Sequence, residues 1–417
     1  MGINGVVLRT KSNTLGDVGS ISVMGKTLDG WAAACMSAPV RTLDVSPVVN
    51  FGDKLRELVD RKNPITVVLY NDAPLVSHKT VESAVNKLIA EKSKMLALPR
   101  GFVFKTEYLA DLETLYMQEP ADTGEFSAVT DGESLSRITE LVRRRILRYH
   151  ARNGVRIADM YNTYIDCDVV IARGVTVEPN NFIKGKTIIK DGAVIMPGNY
   201  IEDCLIGSDT RIDSSRLYGS SIGSGTRVGP FAYIRPQSVV GKNCRIGDFV
   251  ELKCCVIGDG CKVSHLSYIG DAELGKNCNV GCGVVFANYD GKNKYKSVIG
   301  NRVFIGSNAN IVAPVNIADR AFIAAGSTIT KGVPEQALAI ARARQTMIAN
   351  WQGNKFAPPP VEDPRAGGNA RAFGFVQFSD GIIDGTASAA HNDGTEAAEP
   401  EINYGGIINA AENRNDD

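Results

Sequence analysis

The stretch that decides the fold is 222–252, IGSGTRVGPFAYIRPQSVVGKNCRIGDFVEL. An aliphatic residue occupies every sixth position, and glycine or polar residues fill most positions between. A helix repeats every 3.6 residues and a strand every 2, so neither alone gives this spacing. With occasional shorter steps the register holds across the middle of the chain, at Ile165, Ile171, Val177, Ile183, Ile189, Ile195, Ile201, Ile206, Ile212, Ile222, Val228, Ile234, Val240, Ile246, Leu252, Ile257, Val263, Ile269, Ile299, Ile305, Ile311, Ile317, Ile323 and Ile329.

A period of six predicts a β-helix in which every short, flat face begins with one inward aliphatic residue. Three faces make a coil of about 18 residues, and stacked coils bury a continuous aliphatic column that no single repeat could bury alone. A β-sandwich would not keep one register over so many repeats. The sequence therefore predicts a parallel β-helix.

Composition narrows the classes of function. The chain has 417 residues and a net charge of zero, which disfavours a nucleic-acid partner. We find no apolar run of the roughly 20 residues that span a bilayer and no secretory signal, so no membrane partner is expected. Nine scattered cysteines include no C-x-x-C pair, which argues against a zinc site or disulfide framework and predicts a reducing, cytoplasmic location.

One segment, 284–297 (VVFANYDGKNKYKS), interrupts the repeat. Excursions from a solenoid map to loops, often on the binding face. Its residues Asn288, Tyr289, Lys294 and Lys296 are all capable of polar contacts. From the residues alone, a binding loop and a solvated loop with a turn at NYDG both remain open.

Several motifs in order carry a specific resemblance. GPFAYIRP (229–236), FVELK (249–253), SHLSYIGDAELG (264–275) and FANYDGKNKYKSVIG (286–300) resemble the acetyltransferase half of the bacterial bifunctional N-acetylglucosamine-1-phosphate uridyltransferase / glucosamine-1-phosphate acetyltransferase family. The resemblance covers about 155–351. It implies a left-handed β-helix and a homotrimer with acyl-donor sites in the crevices between neighbouring helices.

The resemblance also implies a reaction, transfer of acetyl from acetyl-CoA to the amine of glucosamine 1-phosphate. Such a transfer needs a proton acceptor, and histidine titrates in the right range. His265 matches the family's catalytic base. The acceptor-binding positions match Arg235, Lys253, Tyr268, Asn279 and Lys294, and the acetyl-CoA positions match Cys282, Asn288, Tyr289, Ser307, Ala325 and Arg342. The family works by direct transfer, which disfavours Cys282 as a nucleophile.

The amino-terminal part resembles a truncated, Rossmann-like α/β nucleotidyltransferase domain. The segment 67–89 is similar to the strand–turn–helix of that domain, with Asp72 at its Mg²⁺-binding position. However, the Gly-rich phosphate loop is missing, Asn71 replaces a glycine and Thr130 replaces the second metal ligand. We interpret the domain as an inactive remnant with a vestigial metal residue, so Mg²⁺ is expected only if it retains function.

These patterns divide the chain. We predict a degenerate nucleotidyltransferase-like domain over 1–130, a linker helix over 131–154, the β-helix over 155–333, a C-terminal cap over 334–353 and a disordered acidic tail over 354–417. The linker helix is expected to place Leu135, Ile138, Leu141, Val142 and Leu147 on one apolar face. The stretch EQALAIARARQTMIANW (335–351) is helix-capable.

The leading hypothesis is an enzyme that makes N-acetylglucosamine 1-phosphate for UDP-N-acetylglucosamine and cell-wall precursors, with uridyltransferase activity lost. Two alternatives remain: an acetyltransferase that acts on another amino sugar, and a non-catalytic scaffold. The three cations at Arg235, Lys253 and Lys294 argue against the first, because an acceptor without phosphate would not need them. The retained His265 argues against the second.

Overall fold

The computed structural model describes residues 2–36, 38–44, 51–114 and 124–349. As predicted, an α/β domain precedes a left-handed β-helix. None of the helices in the described ranges is long and apolar enough to cross a bilayer. The α/β domain contains β1 (Ile3–Arg9), α1 (Leu28–Ala34), β2 (Val40–Asp44), α2 (Phe51–Leu58), β3 (Ile65–Tyr70), α3 (His78–Ala90), β4 (Met95–Leu98), β5 (Gly101–Lys105) and a 3-10 helix over Thr106–Thr114, with small hairpins over Lys11–Ser12 and Gly16–Asp17 and over Ser22–Val23 and Lys26–Thr27.

The sheet of this domain is mixed, in the order β2–β1–β3–β5–β4. β1 pairs in parallel with β2 and β3, whereas β5 runs antiparallel to both β3 and β4. Both faces are covered. Val7 packs with α3 residues on one face, while Val6 and Leu8 pack with Leu55 of α2 on the other. Covered faces explain the continuous apolar run of β1, as expected for parallel strands.

A long helix, α4 (Gly132–Arg152), leads into the β-helix. It begins with a capping box, because the side chain of Asp131 accepts a hydrogen bond from the Ser134 N–H and the Ser134 hydroxyl accepts one from the Asp131 N–H. Ile138, Val142 and Leu147 are buried, but Leu141 is exposed, contrary to expectation. Leu141 lies three and seven residues before Arg144 and Arg148, on the solvent side of the helix.

The α/β domain, α4 and the first coil share one hydrophobic cluster, which includes Val18, Ile138 and Ile165. Arg143 of α4 is a buried anchor within this arrangement. Its guanidinium donates to the carbonyl oxygens of Met160 at 2.7 Å and Thr163 at 3.0 Å. The amino end of the solenoid is therefore covered by apolar contacts, as a stacked repeat requires for solubility.

The β-helix has three parallel sheets, here called faces 1, 2 and 3. Face 1 comprises Arg156–Ile157, Thr176–Val177, Val194–Ile195, Arg211–Ile212, Arg227–Val228, Arg245–Asp248, Lys262–His265, Asn279–Val280, Phe304–Ile305, Phe322–Ile323 and Leu338–Ala339. Face 2 comprises Thr163–Ile165, Asn181–Lys184, Tyr200–Glu202, Arg216–Tyr218, Tyr233–Ile234, Glu251–Lys253, Tyr268–Gly270, Val285–Ala287, Asn310–Val312 and Thr328–Ile329. Face 3 comprises Val170–Ile171, Ile188–Ile189, Leu205–Ile206, Ser221–Ile222, Val239–Val240, Val256–Ile257, Ala272–Leu274, Ser297–Ile299 and Asn316–Ile317.

The aliphatic residues at the period of six point into the column between the faces. On face 2, Ile234, Leu252 and Ile269 lie in register on consecutive coils, and each is completely buried. Burial of one such side chain contributes about 1.5–3 kcal/mol, so the column is the main source of stability. Because side chains alternate along a strand, the neighbours of these residues point outward in equally regular columns. That regularity positions the site.

The carboxyl end of the solenoid differs from expectation. The helix-capable stretch is not helical over its described part, residues 335–349. Instead, Leu338–Ala339 forms a strand that pairs with Phe322–Ile323. An unpaired sheet edge leaves backbone groups without partners, and an extended segment satisfies them where a helix would not. The tail predicted over 354–417 lies outside the described residues.

Candidate active site

Four of the predicted acceptor-binding residues gather at face 2. Tyr268 stands beside Glu251 in the parallel ladder, and Lys253 ends the same strand as Glu251. Arg235 follows the strand of the preceding coil, and its Nη1 donates to Glu251 Oε1 at 2.9 Å. Glu251 was not predicted from the sequence. It holds the guanidinium of Arg235 over this face, while Lys294 arrives from the excursion.

Two cations of this group face each other. The ammonium of Lys294 lies beside that of Lys253 and is the largest cause that holds the pKa of Lys253 below its ordinary value. Partial burial of Lys253 is the second cause. The charge of Arg235 acts in the same direction, and that of Asp271 opposes it. In the described part of the chain, neither ammonium forms an ion pair with a carboxylate. An anion placed between the two would remove the repulsion and gain charge-assisted hydrogen bonds.

The predicted excursion over 284–297 is shorter in the structure, because Val285–Ala287 and Ser297–Ile299 pair within faces 2 and 3, and the residues between them form a structured hairpin. Tyr289 and Lys294 form an antiparallel bridge, and the Tyr295 N–H donates to the carbonyl oxygen of Asn288 at 2.8 Å. The buried Asn288 donates its amide to the carboxylate of Asp271, which directly follows the face 2 strand Tyr268–Gly270. Asn288, predicted for the acetyl-CoA site, therefore lies against the acceptor-binding group. Tyr289 is mostly exposed on the hairpin.

The predicted base, His265, lies at the corner that joins face 1 to face 2, three residues before Tyr268. Its Nδ1 lies 2.6 Å from Oδ1 of Asp248, the residue paired with it in the parallel ladder. This hydrogen bond is the largest of the causes that hold the pKa of Asp248 below its ordinary value. Asp248 was missed by the sequence analysis. It precedes His265 by one coil of 17 residues, a spacing visible in the sequence.

The same corner, here called the 1–2 corner, carries most of the predicted donor residues. Each follows a strand of face 1, and backbone hydrogen bonds link them coil to coil. Gly283 N–H donates to the carbonyl oxygen of Leu266 at 3.1 Å, Asn308 N–H to that of Cys282 at 2.8 Å and Gly326 N–H to that of Ser307 at 2.8 Å. The column from His265 past Cys282 and Ser307 to Ala325 spans three coil steps, about 15 Å.

Arg342 completes this column. Its Nη1 donates to the carbonyl oxygen of Ala325 at 2.9 Å, so a cation stands at the far end of the corner from His265. The corner thus presents an extended row of small side chains with a positive charge at one end. These features fit a long, phosphate-bearing acyl donor, whose anionic end would lie near Arg342.

Asn279, also predicted for the acceptor, is the exception. It lies on face 1, in register between Lys262 and Phe304, whereas the other acceptor residues lie on face 2. A single chain therefore does not bring Asn279 beside Lys253 and Lys294.

The vestigial metal residue, Asp72, has other partners. Its Oδ1 accepts a hydrogen bond from Nε of Arg100 at 3.0 Å, and Oδ2 also contacts the guanidinium. The hydroxyl of Thr10 is 3.4 Å from Oδ2. In the described ranges no group of three His, Cys, Asp or Glu residues could hold a metal ion. Because a guanidinium already neutralises the carboxylate, these residues do not fit an Mg²⁺ site.

Two family models match the β-helix. The model described as the GMPPB C-terminal domain matches residues 219–290, which include His265 and four of the five predicted acceptor residues, all but Lys294. The model described as bacterial transferase hexapeptide (six repeats) matches residues 296–331. The predicted hexapeptide architecture is thereby confirmed in two adjoining segments.

Curated relatives give a more specific likeness. The bifunctional protein GlmU of Clostridium acetobutylicum is 48% identical over 255 residues, which cover 60% of this chain and 56% of the relative. The chain is similar to bifunctional GlmU proteins. GlmU of Clostridium perfringens is 50% identical over 257 residues, with the same coverages. The resemblance inferred from the motifs is thus confirmed, and the match is longer than the stretch 155–351. The chain spans about half the length of these GlmU relatives.

Solved structures were compared as well. LpxA from Bacteroides fragilis, a UDP-N-acetylglucosamine acyltransferase, is 22% identical, with 43% of this chain and 69% of that chain covered and a TM-score of 0.28. At that TM-score the likeness has no bearing on the function of this chain.

Proposed function

We propose that this chain transfers acetyl from acetyl-CoA to the amine of glucosamine 1-phosphate, giving N-acetylglucosamine 1-phosphate for UDP-N-acetylglucosamine and cell-wall precursors. One observation carries the proposal. Within the described residues, Lys253 and Lys294 form an ammonium pair that has no ion pair with a carboxylate, close to the corner where His265 meets the donor column. The GlmU likeness supports the same substrates.

The acceptor is defined by charge. A sugar phosphate is a small dianion, and its recognition calls for a guanidinium fork with ammonium point charges. Arg235, Lys253 and Lys294 supply three positive charges, of which Arg235 is shared with Glu251. The phenol of Tyr268, whose pKa is raised by burial, stays protonated and is available to hydrogen-bond the sugar.

The reaction we propose is direct transfer. The amine nitrogen attacks the thioester carbon, His265 takes the amine proton at Nε2, the C–N bond forms and the C–S bond breaks. The proton passes from His265 to the departing thiolate of coenzyme A, so atoms and charge balance. In the described part of the chain the Cys282 N–H donates no hydrogen bond, which leaves it available to a developing oxyanion.

We propose a cytoplasmic homotrimer as the working form. Asn279 lies on a different face from the acceptor group, so a neighbouring copy placed at the 1–2 corner would be needed to bring both types of residue to one substrate. We also propose that the α/β domain has lost uridyltransferase activity. The neutralised carboxylate of Asp72 supports this, because Arg100 takes the place that a metal would need.

A thiol-release assay with acetyl-CoA and glucosamine 1-phosphate tests the transfer. We expect the wild type to release thiol and His265→Ala to lose about 10²–10⁴-fold in kcat, the usual contribution of a general base. The control is His391→Ala, which removes a histidine of the segment 354–417, outside the described residues; it should retain full activity, and sedimentation should show the same oligomer for both.

Other outcomes would redirect the proposal. Thiol release with another amino sugar but not with this acceptor would move it to a different substrate. No release with any amino sugar would favour a scaffold. Pyrophosphate release from UTP and N-acetylglucosamine 1-phosphate in the presence of Mg²⁺ would contradict the loss of uridyl transfer.

A further inference from the structure

We propose that Asp248 is a positioning residue that fixes the imidazole of His265 with its proton on Nδ1, so that Nε2 faces the substrate amine as an acceptor. This inference rests on the proposed function, since it assigns a partner to the base of that reaction. Its structural part, the orientation and tautomer of His265, is testable without any turnover.

The contact between Asp248 and His265 depends on two strands of face 1 that are longer than the others. Most strands of this face are two residues long, but Arg245–Asp248 and Lys262–His265 each have four. They are consecutive in the ladder, and the extra pairing places Asp248 directly beside His265. The two side chains therefore project side by side from equivalent positions of adjacent coils, and Nδ1 of His265 lies 2.6 Å from Oδ1 of Asp248.

The backbone at this corner is also held in place. Leu266 adopts a left-handed conformation with φ of 43°, and the Ser267 hydroxyl donates to the carbonyl oxygen of His265 at 2.8 Å. The side chain of His265 itself is 53% exposed, so packing does not fix its rotation. In the described part of the chain Asp248 is the single polar partner of the ring. The carboxylate is thus the element that orients the imidazole.

The chemistry of the pair determines the tautomer. An ionised carboxylate is only an acceptor, so Nδ1 must be the donor and must carry the proton of the neutral ring. The lone pair is then on Nε2, the nitrogen that points away from Asp248. The hydrogen bond that lowers the pKa of Asp248 keeps it ionised at neutral pH. When Nε2 takes a proton, the imidazolium lies beside a negative charge that stabilises it, as in other carboxylate–histidine pairs.

The tautomer can be measured directly. Magic-angle-spinning spectra of sedimented, ¹⁵N-histidine-labelled protein resolve Nδ1–H from Nε2–H, and the chain has four histidines, so His265→Gln assigns the signal. In the wild type, at a pH where the ring is neutral, we expect Nδ1–H to dominate. In Asp248→Ala we expect a mixture of tautomers. A dominant Nε2–H form in the wild type, or an unchanged spectrum in Asp248→Ala, overturns the inference.

Kinetics give the second measurement. Asp248→Ala should lower kcat roughly 10- to 100-fold with KM for both substrates unchanged, a smaller loss than removal of the base itself. Asp248→Glu should recover part of the loss. The matched control is Asp259→Ala, which removes a carboxylate paired with Lys276 at 3.4 Å and should leave kcat and the tautomer unchanged.

The two proposals fail in different ways. If the wild type releases no thiol, the proposed function fails, while the tautomer spectra still decide the role of Asp248. If the wild type is active and Asp248→Ala retains its kcat, the positioning role fails and the acetyltransferase proposal stands.

Discussion

The carboxyl edge of the amino-terminal sheet and the 1–2 corner of the β-helix both bring charged side chains together where their folds commonly bind ligands. At the sheet edge the charges cancel. Arg9 pairs with Asp29 at 2.7 Å, and Arg100 pairs with Asp72. At the β-helix the ammonium of Lys253 instead faces that of Lys294.

This difference separates a structural polar cluster from the proposed binding site. At the sheet edge Asn71 completes the network, since its side-chain oxygen accepts from the Thr10 N–H and its amide donates to Asp29. The charged groups named here pair with one another without a ligand, which favours folding. Two adjacent ammonium groups cost stability when the site is empty, and a bound dianion reverses that cost. Unneutralised charge is therefore the feature that distinguishes the proposed binding site from the sheet edge.

Among the effects that bear on this comparison, the largest is expected at the unneutralised pair of lysines. Lys253→Ala should raise KM for glucosamine 1-phosphate roughly 10- to 100-fold, because a hydrogen bond to a charged group contributes about 1.5–3 kcal/mol. The KM for acetyl-CoA should not change. Initial rates of thiol release at varied acceptor concentration measure both values.

The matched control is Lys276→Ala, which removes a lysine already paired with Asp259 and should leave KM unaltered. Glucosamine without phosphate provides a sharper contrast. If Lys253→Ala impairs turnover of glucosamine as much as that of the phosphate ester, Lys253 does not bind the phosphate, and the comparison between the two regions loses its basis.

A smaller effect, on stability, is expected at the sheet edge, where Arg100 neutralises Asp72. Asp72→Asn should leave the guanidinium of Arg100 without its counter-charge and destabilise the fold by about 1–3 kcal/mol. Acetyl transfer should proceed with an unchanged kcat. Urea-induced unfolding followed by circular dichroism measures the stability change. Asp53→Asn is a control, because Asp53 and Arg56 form an exposed pair whose loss should be worth about 0–1 kcal/mol.

The opposite result would be informative. If Asp72→Asn leaves stability intact while Mg²⁺ raises the Tm of the wild type, then Asp72 serves a metal, and the sheet edge is a ligand site after all.

Much of the fold was predictable because the same burial requirement recurs in every coil. Each face needs one buried aliphatic residue, such as Ile246, so the spacing of these residues specifies the β-helix. The carboxyl end was harder. Residues 335–349 have helical propensity, but the open sheet edge at Phe322–Ile323 demands an extended partner, and that demand is visible only after the coils are stacked.

The candidate site shows a similar limit. His265 and the lysines were predicted because motifs contain them, whereas Asp248 and Glu251 contact predicted residues that lie one coil away. A sequence written in lines of 17 would have placed Asp248 beside His265. No such periodicity links Arg100 to Asp72, because that contact depends on how β3 and β5 pair, and the sequence does not specify this.

The smallest expected effect concerns the pH dependence of acceptor binding. Because Lys294 lowers the pKa of Lys253, Lys253 loses its proton at a lower pH than an ordinary lysine as the solution becomes alkaline. The acceptor KM should therefore begin to rise at a lower pH in the wild type than in Lys294→Ala, where the neighbouring ammonium is gone and Lys253 stays charged longer. Each profile is normalised to its own neutral-pH KM. The titration of the substrate is common to both proteins, so the difference in onset belongs to the pair formed by Lys253 and Lys294. Profiles with the same onset, or a later onset in the wild type, would show that the two ammonium groups do not interact, and the contrast with the neutralised sheet edge would disappear.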